Sequence, residues 1–179
     1  MSEWFISVTA GDQQLKSIIT CKNLGLKVVT IDQNEQAIGH NYSDFKIVIN
    51  LKNVKKIIDL LNKQNIKPSG ILSFVSDAGA ICASYLREHY LIDGISSKNQ
   101  IECINKYILK ERLKKAHVNQ PEFNLFDCSN KACEFIKKSE SDYVVKPIDG
   151  SGSRGVSQVS RNKNYSKFID KAFEASSYK

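Results

Sequence analysis

Four short apolar runs, each followed by residues spaced for one face of a helix, fill the first half of the chain and leave few folds open to it. FISVTA (5–10), LKVVTID (26–32), FKIVI (45–49) and ILSFV (71–75) have the length and content of strands. A strand wet on one face alternates apolar with polar residues, whereas one covered on both faces reads as a nearly continuous apolar run. The stretches between them follow the helical period. Leu15, Ile18 and Ile19 share a stripe that Leu24 extends, and Gly25 suits a C-terminal cap. Val54, Ile57, Ile58 and Leu61 form a second stripe. Pro68-Ser69-Gly70 interrupts the chain before the fourth run, and Asp77 is placed to cap a helix that presents Ile81, Cys82, Tyr85 and Leu86. Buried strands alternating with helices predict βαβ units on a parallel sheet, an α/β, Rossmann-like domain over residues 1–95. Ligands on such sheets bind at the C-terminal ends of the strands.

The full 179 residues suffice for one domain, or for one domain and part of another. A hydrophobic share of 41% with 25% charged residues is that of a globular chain and excludes a disordered tail. Apolar runs never approach the roughly 18 residues of a membrane span, and MSEWFISVTA lacks the basic start of a signal peptide. A cytoplasmic location follows as the expectation. The five cysteines (Cys21, Cys82, Cys103, Cys128, Cys133) contain no C-x-x-C pair, and His40, His89 and His117 lie far apart. Reduced, mostly buried thiols fit that pattern better than a disulfide frame or a zinc site, so no metal ligand is expected. The net charge of +7 is carried almost entirely by lysines spread over several helical patterns. Base readout favours arginine and a concentrated stripe, so solvated helix faces explain this charge better than a nucleic-acid partner does.

The second half opens on Ser97-Lys98-Asn99-Gln100, a capping-box pattern. Ile101, Ile104, Ile108, Leu113 and Ala116 then continue as one helical face up to Pro121, a connecting helix over 96–120. A further helix is expected from Ala132 to Lys138 and a last one around Phe168, Ile169, Ala172 and Phe173. Between these two lies YVVKPIDGSGSRGVSQV (143–159).

Gly150, Gly152 and Gly155 match G-x-G-x-x-G, a dinucleotide fingerprint only where a strand precedes and a helix follows. Val156-Ser157-Gln158-Val159 alternates like a strand, so the unit reads strand, loop, strand. The G-K-[ST] ending of a P-loop is missing too. A hairpin flap remains, whose glycines let backbone N–H groups approach phosphate oxygens. Lys146 precedes the flap, and its alternation partner Val144 puts the lysine on a face that meets either solvent or an anion. Pro147, which has no N–H, marks the end of regular pairing. From these residues alone, a surface hairpin with a snorkelling lysine and a phosphate-covering loop stand equally open.

Tyr143-Val144-Val145-Lys146-Pro147 followed by Gly150-Ser151-Gly152-Ser153-Arg154-Gly155-Val156 resembles the phosphate-covering hairpin of the ATP-grasp superfamily. The nearest likeness is to ligases similar to the carbamoyl-phosphate synthase large subunit, to biotin carboxylase and to related carboxylate–amine ligases. The order of segments agrees: a pre-ATP-grasp α/β domain, a connecting helix, Leu113, Val118, Pro121 and Phe123 in an L-x-x-x-x-V-x-x-P-x-F stretch, then lysine and flap. The resemblance implies ATP as ligand, with Lys146 on its phosphates and Gly150, Ser151, Gly152, Ser153, Arg154 and Gly155 closing over them. It also implies a phosphate contact from Lys106, where Asn105-Lys106 stands for the family's Asp-Lys pair, and less directly from Lys110. Asp32 could meet a ribose hydroxyl in a dinucleotide-binding fold, but Gly11 is followed by Asp12-Gln13-Gln14 and not by a glycine fingerprint. The loops at Gly11, Asp32 and Ser76–Gly79 are left as candidates for substrate contact, with capping roles as the alternative.

The reaction implied is phosphorylation of a carboxylate by ATP to an acyl phosphate, followed by attack of an amine or similar nucleophile, with Mg²⁺ neutralising the transferring group. Its Mg²⁺ ligands and adenine hinge belong to a large lobe for which the sequence after Gly155 supplies no acidic cluster. The expectation is therefore a front portion of an ATP-grasp ligase: residues 121–179 as an incomplete small lobe, no turnover of ATP by this chain alone, a small carboxylate-bearing substrate and, as in similar proteins, a possible homodimer. The alternative is a non-catalytic α/β module that binds a small anionic ligand or a partner chain.

Overall fold

A computed structural model describes residues 3–162 and 164–177, and they form two compact units divided between Ile101 and Glu102. The first unit holds four strands, β1 (Trp4–Val8), β2 (Lys27–Asp32), β3 (Phe45–Val48) and β4 (Pro68–Leu72). Its helices are α1 (Asp12–Asn23), α2 (Val54–Lys63) and α3 (Asp77–Tyr90), with a 3-10 turn over Ile38–Tyr42. All strand pairs are parallel and the order is β3-β2-β1-β4, which makes this the α/β sheet that the alternating pattern predicts. The central strands β1 and β2 are buried over runs of three and four residues, whereas the edge strand β3 exposes Lys46 and Val48 on either side of buried Ile47. Ile6, Val8, Val29 and Ile31 from the centre meet Ile57 and Leu61 of α2 and Cys82, Ala83 and Leu86 of α3 in one core.

Two expectations are corrected here. The fourth strand is not 71–75 but Pro68–Leu72, and Phe74 and Val75 lie outside it, 43% and 74% exposed. The pairing partner decides this. Trp4 faces Pro68 and Phe5 faces Gly70, with a register shift between them, so a proline without an N–H starts an edge strand where it is tolerated. The cap of α3 is Ser76, whose Oγ accepts from the Gly79 N–H at 3.0 Å, and Asp77 sits in the first turn instead. The end of α1 agrees with the reading: Gly25 follows it with φ +79°.

Helix α4 (Ser97–Ile104) runs across the division. Its cap lies one residue before the expected box, since Ser96 Oγ accepts from Asn99 N at 3.2 Å. The single helix read over this region is in fact two, because α5 (Lys106–Lys115) starts afresh after Asn105. The Asn105 side chain is buried and accepts from the N–H groups of Tyr107 and Ile108 at 3.1 and 3.0 Å, which satisfies two donors that a new helix leaves open. The second unit continues with α6 (Ser129–Lys138), β5 (Tyr143–Val145), β6 (Ser157–Val159) and α7 (Ser166–Ala175). A two-stranded ribbon of three-residue strands is not stable unsupported. It rests on Ala132 and Ile136 of α6 and Ile169 of α7, with Val159 fully buried among them and Phe126, Phe135 and Phe168 packed around.

Candidate functional site

β5 and β6 pair antiparallel, Tyr143 with Val159, Val144 with Gln158 and Val145 with Ser157. The Gly-rich segment is therefore the connection of a hairpin, as its alternating flanks predict, and no helix opens after it. Tyr143 and Val159 face the core. On the other face Val144 is 64% exposed, Gln158 is exposed, and Lys146 follows exposed one alternation further on. The Lys146 ammonium makes no hydrogen bond or ion pair among the described residues. Pro147 turns inward and is buried.

Four residues of the loop lie in the left-handed region: Gly150 (φ +85°), Gly152 (+70°), Ser153 (+55°) and Gly155 (+71°). Only glycine visits that region without strain, so the spacing of the glycines follows from the path of the backbone. Gly152 stands in open space, where a Cβ would meet nothing within 4 Å. Gly155 is the opposite case. A Cβ there would lie 2.9 Å from Ala175 Cβ and 3.1 Å from Lys171 O, so this glycine lets the loop's second foot press on α7. Ser151, Ser153 and Arg154 are exposed, and Arg154 Nε donates back to Ser151 O at 3.3 Å.

The fold brings Lys106 to this loop across 44 residues of sequence. Its Nζ donates to Gly150 O at 2.8 Å, and its backbone N–H donates to Ile148 O at 2.8 Å, so the first residue of α5 is tied to the loop twice. Lys110 is directed elsewhere: its Nζ reaches Gln120 Oε1 at 3.3 Å and Pro121 O at 3.4 Å, and stands 5.0 Å from the centre of the Phe123 ring. Asp149, which the sequence reading passes over, is bound on both carboxylate oxygens. Ser176 Oγ donates to Oδ1 at 2.7 Å, Ser177 N to Oδ1 at 3.0 Å, and Ser177 Oγ to Oδ2. Burial pushes this carboxyl up, but the hydrogen bonds from Ser177 and Ser176 outweigh it and hold the group below the usual aspartate value. Its partners lie beyond the last helix, and no local pattern points to them.

In the first unit the candidate loops follow β1, β2 and β4. Asp32 is spent on the backbone: Oδ2 accepts from Ala10 N and Oδ1 from Asn34 N, both at 2.9 Å. Gly11 precedes α1 without a side-chain cap, and Gln14 Nε2 bridges to Phe74 O at 2.6 Å. Beside the start of α3, Thr9 Oγ1 and Ser73 Oγ are buried with no hydrogen-bond partner among the described residues. A Cβ on Gly79 would fall 2.2 Å from Ser73 Oγ, so a side chain there would force the Ser73 hydroxyl to move.

Sequence reading gives His40 no role, yet it is buried in a closed circuit of hydrogen bonds. Ser43 Oγ donates to His40 O, so Thr30 Oγ1 must donate to Ser43, and His40 Nδ1–H must donate to Thr30. The ring is thereby fixed as the Nδ1–H tautomer, with Nε2 a buried lone pair that has no partner among the described residues. Burial lowers its pKa, as does Lys46, against the opposing pull of Asp32, Asn34 O and Glu35. Among the described residues no three or more His, Cys, Asp or Glu side chains group as metal ligands, and no helix is long and apolar enough to cross a membrane.

The family model described as the ATP-grasp domain matches residues 103–174, a span that holds Lys106, Lys146, the glycine loop and α7. Among solved structures, an N5-carboxyaminoimidazole ribonucleotide synthetase in complex with ADP is similar over 97% of this chain and 45% of its own, with 15% identity and a TM-score of 0.78. An L-amino acid ligase from Bacillus licheniformis matches over 96% of this chain and 42% of its own, with 18% identity and a TM-score of 0.75. The N5-carboxyaminoimidazole synthetase from Staphylococcus aureus, complexed with ADP, matches over 96% and 46%, with 18% identity and a TM-score of 0.72. No curated protein matches the sequence. The chain spans less than half the length of the solved structures it resembles. The match to the ATP-grasp domain model is confined to residues 103–174, and over nearly its whole length the chain shares the fold of part of these ligase structures.

Proposed function

We propose that this chain is the nucleotide-binding front portion of an ATP-grasp ligase and that the loop Gly150–Gly155, with Lys146 and Lys106, covers the phosphates of ATP. The observation that carries the reading is the hairpin itself. The Lys146 ammonium, unpaired among the described residues, stands at the mouth of a loop with three left-handed glycines, and a second lysine donates to the first of them. Such a loop turns N–H groups outward at a place where no side chain blocks an approaching phosphate. The outer face of the hairpin adds apolar surface at Val144 and Val156, which suits a planar base beside a charged tail.

ATP would supply the phosphoryl group that activates a carboxylate for attack by an amine. Within this chain, Lys146 holds negative charge near the strand end, Lys106 exchanges the Gly150 carbonyl for a phosphate oxygen, and the loop excludes water. Among the described residues no cluster of carboxylates would hold Mg²⁺, so the 179-residue chain alone is expected to bind nucleotide without turning it over. In the first unit, the Thr9 and Ser73 hydroxyls at the switch point between β1 and β4 suit contact with a small anionic substrate.

Titration of the purified chain with ATP, with and without Mg²⁺, tests the reading. Removing one charge-assisted contact by Lys146→Ala is expected to weaken binding about tenfold or more. A measurable affinity that Lys146→Ala leaves unchanged removes the lysine from the site. Ligation by the purified chain would overturn its expected inactivity.

A further inference from the structure

Both feet of the glycine loop are fastened to one place, the last turn of α7 and the two residues that follow it. The first foot is Asp149, held through the hydroxyls of Ser176 and Ser177 and the Ser177 N–H. The second is Gly155, which sits against Ala172, Ala175 and the Lys171 carbonyl so closely that no side chain fits. Between the feet the loop is held by Lys106 Nζ on Gly150 O, by Arg154 Nε on Ser151 O and by a turn from Val156 N to Ser153 O at 3.2 Å. A carboxylate is out of place at a helix C-terminus, where the free carbonyls already concentrate negative charge. The hydroxyls of Ser176 and Ser177 and the Ser177 N–H donate to it. These donors give the loop a fixed base at the end of α7.

We infer that Asp149 is a positioning residue that anchors the glycine loop to the end of α7, so that closure is confined to residues 150–154 and is coupled to the chain segment leaving α7. The coupling has a direct route. Asp149 is bonded to Ser177 and is covalently next to Gly150, whose carbonyl takes the Lys106 ammonium. A shift of the segment at Ser176–Ser177 therefore moves the peptide that Lys106 holds, and an anion that draws Lys106 away loosens the same peptide. The consequence for affinity rests on the nucleotide reading above; the anchoring itself does not.

Amide exchange of the full chain without nucleotide tests the anchoring. Asp149→Ala is expected to speed exchange of the N–H groups that are hydrogen-bonded at the loop, Val156 on Ser153 O and Lys106 on Ile148 O, about tenfold, the loss of hydrogen bonds to a charged acceptor, while α6 keeps its protection. Asp149→Asn keeps one acceptor oxygen and should recover part of the protection. The double variant Ser176→Ala/Ser177→Ala should reproduce the effect, and combining it with Asp149→Ala should add nothing, since all three residues form one contact. Wild-type protection of the loop in Asp149→Ala, or additive effects in the combined variant, overturns the inference. If Asp149→Ala fails to fold, the serine variant and Asp149→Asn decide it by the same criterion. Loop exchange that responds while ATP fails to bind either protein would sink the nucleotide reading and leave the anchor standing.

Discussion

Replacing Gly155 by alanine should damage the second unit far more than the same change at Gly152, although both glycines lie in one loop at nearly the same φ. The conformational cost is common to both. An alanine held at φ +70° or +71° pays roughly 1–2 kcal/mol for crowding its Cβ against the following carbonyl. At Gly152 that is the whole cost, because the new methyl meets nothing within 4 Å. At Gly155 the methyl would stand 2.9 Å from Ala175 Cβ, 3.1 Å from Lys171 O and 3.2 Å from Ala172 Cα. Carbon atoms rest about 3.5–4.0 Å apart, so helix and loop must separate by several tenths of an ångström. Overpacking of this kind costs a further ~1–3 kcal/mol. Gly155→Ala is thus expected to destabilise the unit by ~2–5 kcal/mol, a large share of what a small domain has. Amide exchange in β6 and α7 measures this directly, and the single tryptophan, Trp4, provides a separate fluorescence probe for the first unit. ATP affinity should rank the two variants the other way once binding is compared between folded populations. The Gly152 methyl projects where a phosphate would approach, so Gly152→Ala loses binding while its fold survives. Equal loss of protection in the two variants would refute the packing argument, and unchanged ATP affinity in Gly152→Ala would remove the loop tip from the site.

The buried His40 predicts an acid-sensitive first unit: its folded pKa lies below the unfolded value of 6.5, so the unfolded chain takes up the proton first and stability falls as pH drops below about 6.5 towards the folded value, by at most ~1.4 kcal/mol per pH unit. Urea denaturation followed by Trp4 fluorescence between pH 7.5 and 5.5 should show that slope in the wild type and lose it in His40→Gln; identical slopes would sink the assignment. Cys82 is buried and its thiol is pushed up to about 12, whereas Cys103 is exposed, so iodoacetamide at mildly alkaline pH should label Cys103 in the native chain and reach Cys82 only on unfolding. Peptide mapping after timed labelling decides this, and early modification of Cys82 would show that the core opens more readily than its packing implies.

What the sequence made legible was whatever burial imposes locally. β1 and β2 were readable because a strand covered on both faces must be apolar at consecutive positions, and α2 because Ile57 and Leu61 repeat with the helical turn. β4 was misplaced for a related reason. ILSFV is the more apolar string, but an edge strand needs only alternate burial, and its extent is set by the register of Trp4 and Phe5, more than 60 residues away. The break at Asn105 was hidden because Ile101, Ile104 and Ile108 keep their spacing straight through it. An asparagine inside a helical stripe looks the same in sequence as one that ends it, and its hydrogen bonds to Tyr107 and Ile108 tell the two apart.

The loop divides along the same line between local and distant causes. Its glycines announced a tight backbone path, and the strands on either side separated a hairpin from a helix-opening fingerprint without any structure. Which glycine packs against the scaffold and which stands free was not legible, because the pattern gives all three the same letter. That distinction is made by α7, whose side chains and carbonyl press on Gly155 and leave Gly152 free. Lys106 and Asp149 are likewise defined by partners 44 and 28 residues away. A loop with four left-handed residues has little to hold its own shape, so the elements that meet at its feet must supply the rigidity. If the loop closes on an anion as proposed, stiffness at the feet and freedom at the tip would limit the entropy lost on closing to the few residues between Gly150 and Gly155.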